Sequence, residues 1–283
     1  MLAEFKHTLR RMRGQIIGWS IGIGLYGLLM VSFYDSIQGI PDFEQYISSF
    51  PEEMVAFFGD LMAITTPKGY IDIYYFNYMA VIIGIFTVSA GASLLVKDEE
   101  EGRLDLLMAY PVSRSGFFWG RLLGYITSVV LILLVGWLSW WVPSGNAGMD
   151  LTAVEFLRPF LPLLVQLLLF GFLGLLLSMV LPSARMAGMF TGALLVANYL
   201  LIGLSNINQD LKPIMEYTPL KYYQGGNAVD GLNWEWLAVL FAATALFALL
   251  AWWRFQDRDI RVGGEGGWRI PILNTRKERE VSV

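Results

Sequence analysis

Four consecutive acidic residues form the densest group of side chains in this sequence that could do chemistry. They are Asp98, Glu99, Glu100 and Glu101, whose carboxylates could bind a metal ion or the basic residues of a partner. A transition-metal site is built mainly from histidine and cysteine, and the chain has no cysteine and one histidine, His7. We therefore interpret the cluster as a docking surface for basic residues. We expect no metal site and no catalytic residue.

A glycine-rich segment, GGEGG at residues 263–267, is the closest approach to a phosphate-binding motif. It lacks the lysine of a phosphate loop and the strand and helix that flank one. We interpret it as a linker. The chain itself is therefore expected neither to bind ATP nor to be an enzyme.

The elements that must position these residues are set by a composition typical of membrane proteins. Of the 283 residues, 55% are hydrophobic and 16% are charged, with a mean hydropathy of +0.53, whereas about a quarter of residues are charged in soluble domains. Several apolar runs approach the roughly 20 residues that cross a bilayer as a helix. The sequence predicts an all-α integral membrane protein with six transmembrane helices. The predicted spans cover residues 14–34, 71–96, 122–142, 157–181, 186–205 and 234–253.

The segments outside the spans predict the orientation. Residues 1–13 have apolar residues on one helical face and basic residues elsewhere, which is typical of a helix lying in the headgroup plane; a positive flank of the first span is the alternative. Lysine and arginine are concentrated here and in residues 97–121 and 255–283 rather than in the loops 35–70 and 206–232. Both termini are therefore predicted to be cytoplasmic. The predicted organisation is an N-terminal interfacial helix at 1–13, a transmembrane domain at 14–254 and a cytoplasmic tail at 255–283.

Charged residues are missing from the middle of the spans. Asp72 and Glu235 lie at span edges and Arg158 near a span end. A mid-membrane charge is the usual mark of ion coupling, so an ion-coupled carrier or a channel has no obvious charge carrier here. Those functions, and that of a membrane-embedded enzyme, remain alternatives to transport that draws its energy from outside the membrane.

Residues 97–121 form a long and half-apolar connection between spans two and three. After the acidic cluster, Gly102 predicts a turn, and a short helix follows with Leu104 and Leu107 on one face. Pro111 ends this helix, because proline donates no backbone hydrogen bond and clashes with the preceding turn. A connection with this apolar face is expected to dock on a partner.

The order of these elements resembles the first cytoplasmic loop of ABC-2 type transporter permeases. The acidic cluster and its glycine are followed by Leu-Asp-Leu-Leu-Met (104–108), by Pro-Val-Ser-Arg (111–114) and by an aromatic stretch that leads into Gly-Arg-Leu-Leu-Gly (120–124). The family pattern has threonine at the position of Arg103 and glutamate at that of Asp105. Residues 217–223 (YTPLKYY) are similar to a Ser-Pro-x-x-Tyr-Phe stretch before the family's last membrane helix.

The resemblance implies a transmembrane domain like that of type V exporters, in which a coupling helix sits in a cleft of a separate ATP-binding subunit. Two such ATPase subunits, which hold ATP and Mg²⁺, and a second permease chain, identical or related, would complete the transporter. The bilayer is the remaining partner, in the cytoplasmic membrane of a bacterium or archaeon, and no nucleic acid is expected. The residues assigned to ATPase coupling are Glu99, Glu101, Gly102, Arg103, Leu104, Asp105, Leu107, Met108, Pro111 and Arg114.

In similar exporters, spans two and five line the translocation path. Aromatic and polar side chains there would suit the export of a hydrophobic or amphipathic small molecule, peptide or lipid; helix packing and interfacial anchoring remain the alternative for each residue. The residues assigned to this path are Tyr75, Asn77, Tyr78, Phe86, Asn198 and Tyr199.

Glycines at four-residue spacing mark spans one and five. They are Gly14, Gly18 and Gly22 in the first span and Gly188 and Gly192 in the fifth. Small residues at this spacing let another helix approach closely. That helix belongs either to the same bundle or to a second permease chain.

Overall fold

The computed structural model describes residues 1–38, 47, 49–51, 54, 55, 57, 61–102, 104 and 113–257. These residues form helices and turns and include no strand. Six of the helices are long and apolar enough to cross a membrane, as predicted. They are α1 (Leu2–Gln38), α2 (Pro67–Ser93), α3 (Arg114–Ser144), α4 (Phe160–Ser178), α5 (Ala184–Ile207) and α6 (Trp234–Asp257).

The first helix spans both sides of the predicted division at residue 13. Its 37 residues run without a break and extend about 55 Å, well beyond a hydrocarbon core of about 30 Å. The N-terminal turns pack on small residues of α3: a Cβ added at Gly120 would lie 2.5 Å from the carbonyl oxygen of Met1, and one added at Gly124 would lie 2.8 Å from Thr8 Cβ. Residues 2–13 therefore belong to the same continuous helix as the first span.

The central helix of the bundle is α4. It packs against α2, α5 and α6, while α1 pairs along its length with α3. The closest approach to α2 needs glycine, because a Cβ at Gly91 would lie 2.2 Å from the carbonyl oxygen of Gly171. Tyr125 of α3 donates a hydrogen bond of 2.9 Å to the carbonyl oxygen of Thr87 in α2. The helices α1, α5 and α6 present mostly exposed, apolar outer faces, as a lipid or protein neighbour in the membrane requires.

Polar caps set where helices begin. Ser113 accepts a hydrogen bond from the backbone N–H of Gly116 at the start of α3, and Ser183 accepts one from Met186 at the start of α5. Such side chains satisfy backbone donors that have no partner within the helix. The caps fix the residues at which α3 and α5 begin.

The helices alternate between two ends of the bundle, named here after a residue at each. The Arg121 end contains the starts of α1, α3 and α5 and the ends of α2, α4 and α6. The Asp72 end contains the connecting segments between α1 and α2, α3 and α4, and α5 and α6. At the Asp72 end, residues 206–232 form short helices at Gln209–Leu211, Lys212–Met215, Pro219–Tyr222 and Gly225–Val229.

Candidate functional site

The predicted coupling segment is described at its beginning and at its end. Glu99, Glu101, Gly102, Leu104 and Arg114 lie within the described residues. Arg103, Asp105, Leu107, Met108 and Pro111, and with them the predicted helix at 103–110, lie outside the described residues.

After α2, a short helix at Val96–Glu100 carries the acidic cluster into the segment. The backbone N–H of Gly102 donates a 3.0 Å hydrogen bond to the carbonyl oxygen of Glu99, which closes the helix. Gly102 has φ of 66°, a left-handed conformation that glycine adopts without the steric cost of a Cβ. Leu104, just beyond, is 2% exposed. The predicted turn at Gly102 is confirmed, and it directs the chain back onto the bundle.

The acidic cluster divides into a buried half and an exposed half. Asp98 and Glu99 are buried, whereas Glu100 and Glu101 are exposed. Asp98 does not belong to a docking surface, because arginines of the same chain bind it. Among the described residues of this cluster and its turn, a partner could reach Glu100, Glu101 and Gly102.

Asp98 lies in an ion cluster that joins three segments. The Arg121 guanidinium binds the Asp98 carboxylate through Nη1 and donates through Nε to Glu4 Oε2 at 3.2 Å. Arg121 Nη1 also donates to the carbonyl oxygen of Leu94 at 3.0 Å. Arg11 Nη1 lies 3.0 Å from both oxygens of Asp98. We call Glu4, Arg11, Asp98 and Arg121 the ion cluster; it ties α1 and α3 to the helix that starts the coupling segment.

Burial makes the loss of either partner of the Arg121–Asp98 pair costly. Arg121 is 1% exposed and Asp98 is 4% exposed, and the Arg121 guanidinium carbon also stands 4.0 Å from the centre of the Phe117 ring. Burial alone would raise the pKa of Asp98, but Arg121 and then Arg11 outweigh it and hold that pKa below its usual value. Removing one partner of a buried pair leaves an uncompensated charge and typically costs about 3–5 kcal/mol.

The Arg121 end also ties the coupling segment to α5 and α6. Glu100 Oε1 accepts a 2.8 Å hydrogen bond from the backbone N–H of Ala184, at the start of α5. Arg114 Nη1 donates a 3.0 Å hydrogen bond to the carbonyl oxygen of Gln256, at the end of α6. Each end of residues 97–121 is thus attached to more than one membrane helix.

Two of the residues assigned to the translocation path line a common cavity. Asn77 of α2 and Tyr199 of α5 border a space of about 360 Å³ near the Asp72 end. Asp72 closes one side, where its Oδ1 accepts a 2.6 Å hydrogen bond from the backbone N–H of Gly226. The residues Asp72–Phe76 form a π-helical turn, an irregularity frequent at functional sites.

The other assigned residues are not brought to this cavity. Tyr75 is fully buried, with its ring centre 5.6 Å from that of Trp140, and Phe86 is buried with its ring centre 5.7 Å from that of Trp19. The buried Asn198 Oδ1 has no hydrogen-bond partner within the described ranges, and Tyr78 is half-buried. Within the described residues, the structure joins Asn77 to Tyr199 and places Tyr75 and Phe86 in helix packing.

The ion cluster is not predicted by the sequence patterns. Arg121 offered a detectable signal, because it is a charged residue directly before an apolar run. Its side chain would be buried if the helix began earlier than residue 122. Its partners were not detectable by spacing, since Glu4 and Arg121 are 117 positions apart.

Comparison with protein families gives a match over most of the chain. The family model described as ABC-2 family transporter protein matches residues 4–260, a range that includes all six membrane helices and the ion cluster. Comparison with curated proteins gives no significant match. The matched range covers most of the chain, which therefore belongs to the ABC-2 family of transporter proteins.

Proposed function

We propose that this chain is the permease subunit of an ATP-driven exporter whose separate ATPase subunits dock on residues 97–121. The observation that carries the proposal is the exposed Glu101–Gly102 turn, held at the base of the bundle by the ion cluster. A partner that pushes on this turn acts on a segment attached to α1, α3, α5 and α6. Conformational change then passes into the membrane by rigid-body movement of helices.

Two ATPase subunits and a second permease chain complete the proposed transporter, and ATP and Mg²⁺ are held by the ATPases. The chain supplies binding and movement rather than chemistry. Among the described residues, no group of histidine, cysteine, aspartate and glutamate could hold a metal ion, and none is needed for this role.

The orientation follows from charge. Lys6, Arg10, Arg11 and Arg13 lie at the Arg121 end, together with Lys97 and Arg185. Because lysine and arginine favour the cytoplasmic side, we propose that the Arg121 end and both termini face the cytoplasm of a bacterium or archaeon. The Asp72 end then opens outward.

The cavity near the Asp72 end supports an outward path between α2 and α5. Asn77 and Tyr199 supply an amide and a phenol, and Ile202 and Met215 supply apolar surface. A mixed lining of this kind suits an amphipathic cargo that leaves the membrane. We propose that a hydrophobic or amphipathic small molecule, peptide or lipid passes this point.

Docking of the ATPase is tested by charge reversal at the exposed turn. The permease is expressed with the ATPase encoded beside it, and the ATP turnover of the purified complex is measured. Glu101→Lys is expected to abolish co-purification and the response of ATP turnover to the permease, because it reverses charge on the proposed docking surface. Asp210→Lys, an exposed acid at the Asp72 end, is the matched control and should change neither.

A second variant, Leu107→Asp, places a charge on the predicted apolar face of the coupling helix and should also uncouple ATP turnover. Both variants should insert in the membrane as the unaltered chain does. Normal co-purification and turnover in Glu101→Lys and Leu107→Asp together would contradict the docking proposal.

A further inference from the structure

A polar cavity lies between α1 and α2 at the Arg121 end, beside the ion cluster. It has a volume of about 410 Å³, and Arg11, Lys97 and Arg121 contribute its basic lining. No acidic residue in the described part of the chain lines it. Asp98 and Glu4 pair with the two arginines and offset two of the three positive charges. Lys97 therefore supplies the excess positive charge.

Donors for an anion remain available around this cavity. Arg121 Nη2 is buried and has no hydrogen-bond partner among the described residues. Such an unsatisfied buried donor is uncommon in native proteins and costs free energy unless a partner is supplied. Among the described residues Lys97 has no ion pair, and it is exposed. The cavity therefore presents a cation on its rim and an arginine with spare donors at its wall, which suits a phosphate group.

An apolar groove continues from this cavity along the same two helices. Gln15 lines both spaces. The groove has a volume of about 500 Å³, and Gly18, Gly22, Tyr26 and Ile82 contribute to its lining. A Cβ added at Gly18 or Gly22 would meet no atom within 4 Å. These glycines of α1 therefore border open space and do not pack against another described helix of this chain.

We propose that the cavity and the groove together bind one anionic phospholipid, with the phosphate among Arg11, Lys97 and Arg121 and an acyl chain along Gly18 and Gly22. A basic cavity at the bilayer surface that opens into an apolar groove at membrane depth matches the amphipathic shape of a lipid. A free phosphate would occupy the cavity but not the groove. A zwitterionic headgroup would place its cationic group in a cavity whose described lining has no acidic residue. The site depends on the membrane location of the chain and not on an ATPase partner.

Lipid retention by the purified full-length chain tests this site. The chain in detergent is mixed with acyl-matched phosphatidylglycerol or phosphatidylcholine, and bound lipid is counted by native mass spectrometry. Phosphatidylglycerol should be retained selectively. Lys97→Gln should weaken its retention about fivefold, because each basic residue near a membrane surface contributes about that factor in binding. Lys212→Gln, an exposed lysine at the Asp72 end, should leave retention unchanged.

The groove is tested separately from the charge. Gly18→Leu fills open space and should reduce phosphatidylglycerol retention at least tenfold while leaving the thermal unfolding temperature nearly unchanged. Gly192→Leu, which also meets no atom within 4 Å but lies on α5, is the matched control and should retain lipid normally.

Three results would overturn the proposal. The first is equal retention of both lipids in the unaltered chain and in Lys97→Gln. The second is binding of inorganic phosphate that competes fully with phosphatidylglycerol and does not change in Gly18→Leu, which would assign the cavity to a free anion. The third is loss of a permease dimer in Gly18→Leu with lipid retention unchanged, which would assign the groove to a second copy of the chain.

Discussion

Replacing Arg121 with methionine should destabilise the folded permease more than any other removal of a single charge at this end of the bundle. Methionine keeps much of the apolar stem of arginine and removes the guanidinium that bridges Asp98, Glu4 and the carbonyl oxygen of Leu94. The substitution removes one of the two arginines that bind the Asp98 carboxylate and removes the arginine that pairs with Glu4.

The magnitude follows from the burial of the pair. Breaking a buried ion pair costs about 3–5 kcal/mol; because Arg11 still binds Asp98, we expect a value near the lower limit, about 3 kcal/mol. At about 2–4 °C per kcal/mol for a chain of this size, the unfolding temperature in detergent should fall by roughly 10 °C. Arg185→Met removes an exposed arginine at the same end and should shift the unfolding temperature by no more than about 2 °C.

A double-mutant cycle separates the ion pair from other effects of the substitution. Asp98→Leu alone should also destabilise the protein, because Arg121 then loses a buried partner. The double variant Arg121→Met with Asp98→Leu should be about 2 kcal/mol more stable than the sum of the two single changes predicts. Additive losses, or a loss in Arg121→Met no larger than that in Arg185→Met, would refute the view that this pair holds the start of the coupling segment.

Three further predictions use the same unfolding assay. Asp98 has a lowered pKa in the folded state, so its contribution to stability is present above the unfolded pKa of about 4 and is lost as pH falls through the folded value. Asp98→Asn should therefore reduce the loss of stability at acid pH. An unchanged loss of stability at acid pH would contradict this. Gly91→Leu should destabilise the protein by more than about 3 kcal/mol, because its Cβ would lie 2.2 Å from the Gly171 carbonyl oxygen, whereas Gly18→Leu should be close to neutral; similar losses in both would contradict the packing. Tyr75→Phe should be neutral or stabilising by up to about 1 kcal/mol, because the buried hydroxyl has no hydrogen-bond partner in the described part of the chain. A loss of about 1 kcal/mol would show that the hydroxyl is bound.

The six membrane helices could be predicted because each is an apolar run of sufficient length, but their starts could not be read from hydropathy alone. The third span was predicted from residue 122, and α3 begins at Arg114. The charges of Arg114 and Arg121 placed residues 114–121 in the predicted connection between spans. In the structure Ser113 caps the helix, and both arginines donate hydrogen bonds to other helices. The second span was predicted from residue 71, and α2 begins at Pro67 after the Thr66 cap.

Features of the site could be predicted only where they depend on a single stretch of sequence. Gly102 could be identified as a turn because glycine adopts left-handed backbone conformations freely. The separation of Asp98 from Glu101 could not be predicted, because neighbouring acids look alike until the packing of α1 on α3 brings Arg11 and Arg121 to one of them. Likewise, the placement of Tyr75 in helix packing depends on α3 and α4, which contribute Trp140 and Phe160.

The contacts around the coupling segment differ in strength, and that difference suggests which helices move together. The Arg121–Asp98 pair is buried, so separating α3 from Asp98 costs about 3–5 kcal/mol, and Glu4 ties α1 to the same arginine. The bond from Ala184 to Glu100 is exposed and contributes only about 1 kcal/mol. A force applied at Glu101 should therefore carry α1, α2 and α3 as one body and release α5 first. The cavity lined by Asn77 and Tyr199 lies between α2 and α5. Displacement of α5, which has the weaker attachment to the coupling segment, would therefore widen the proposed path.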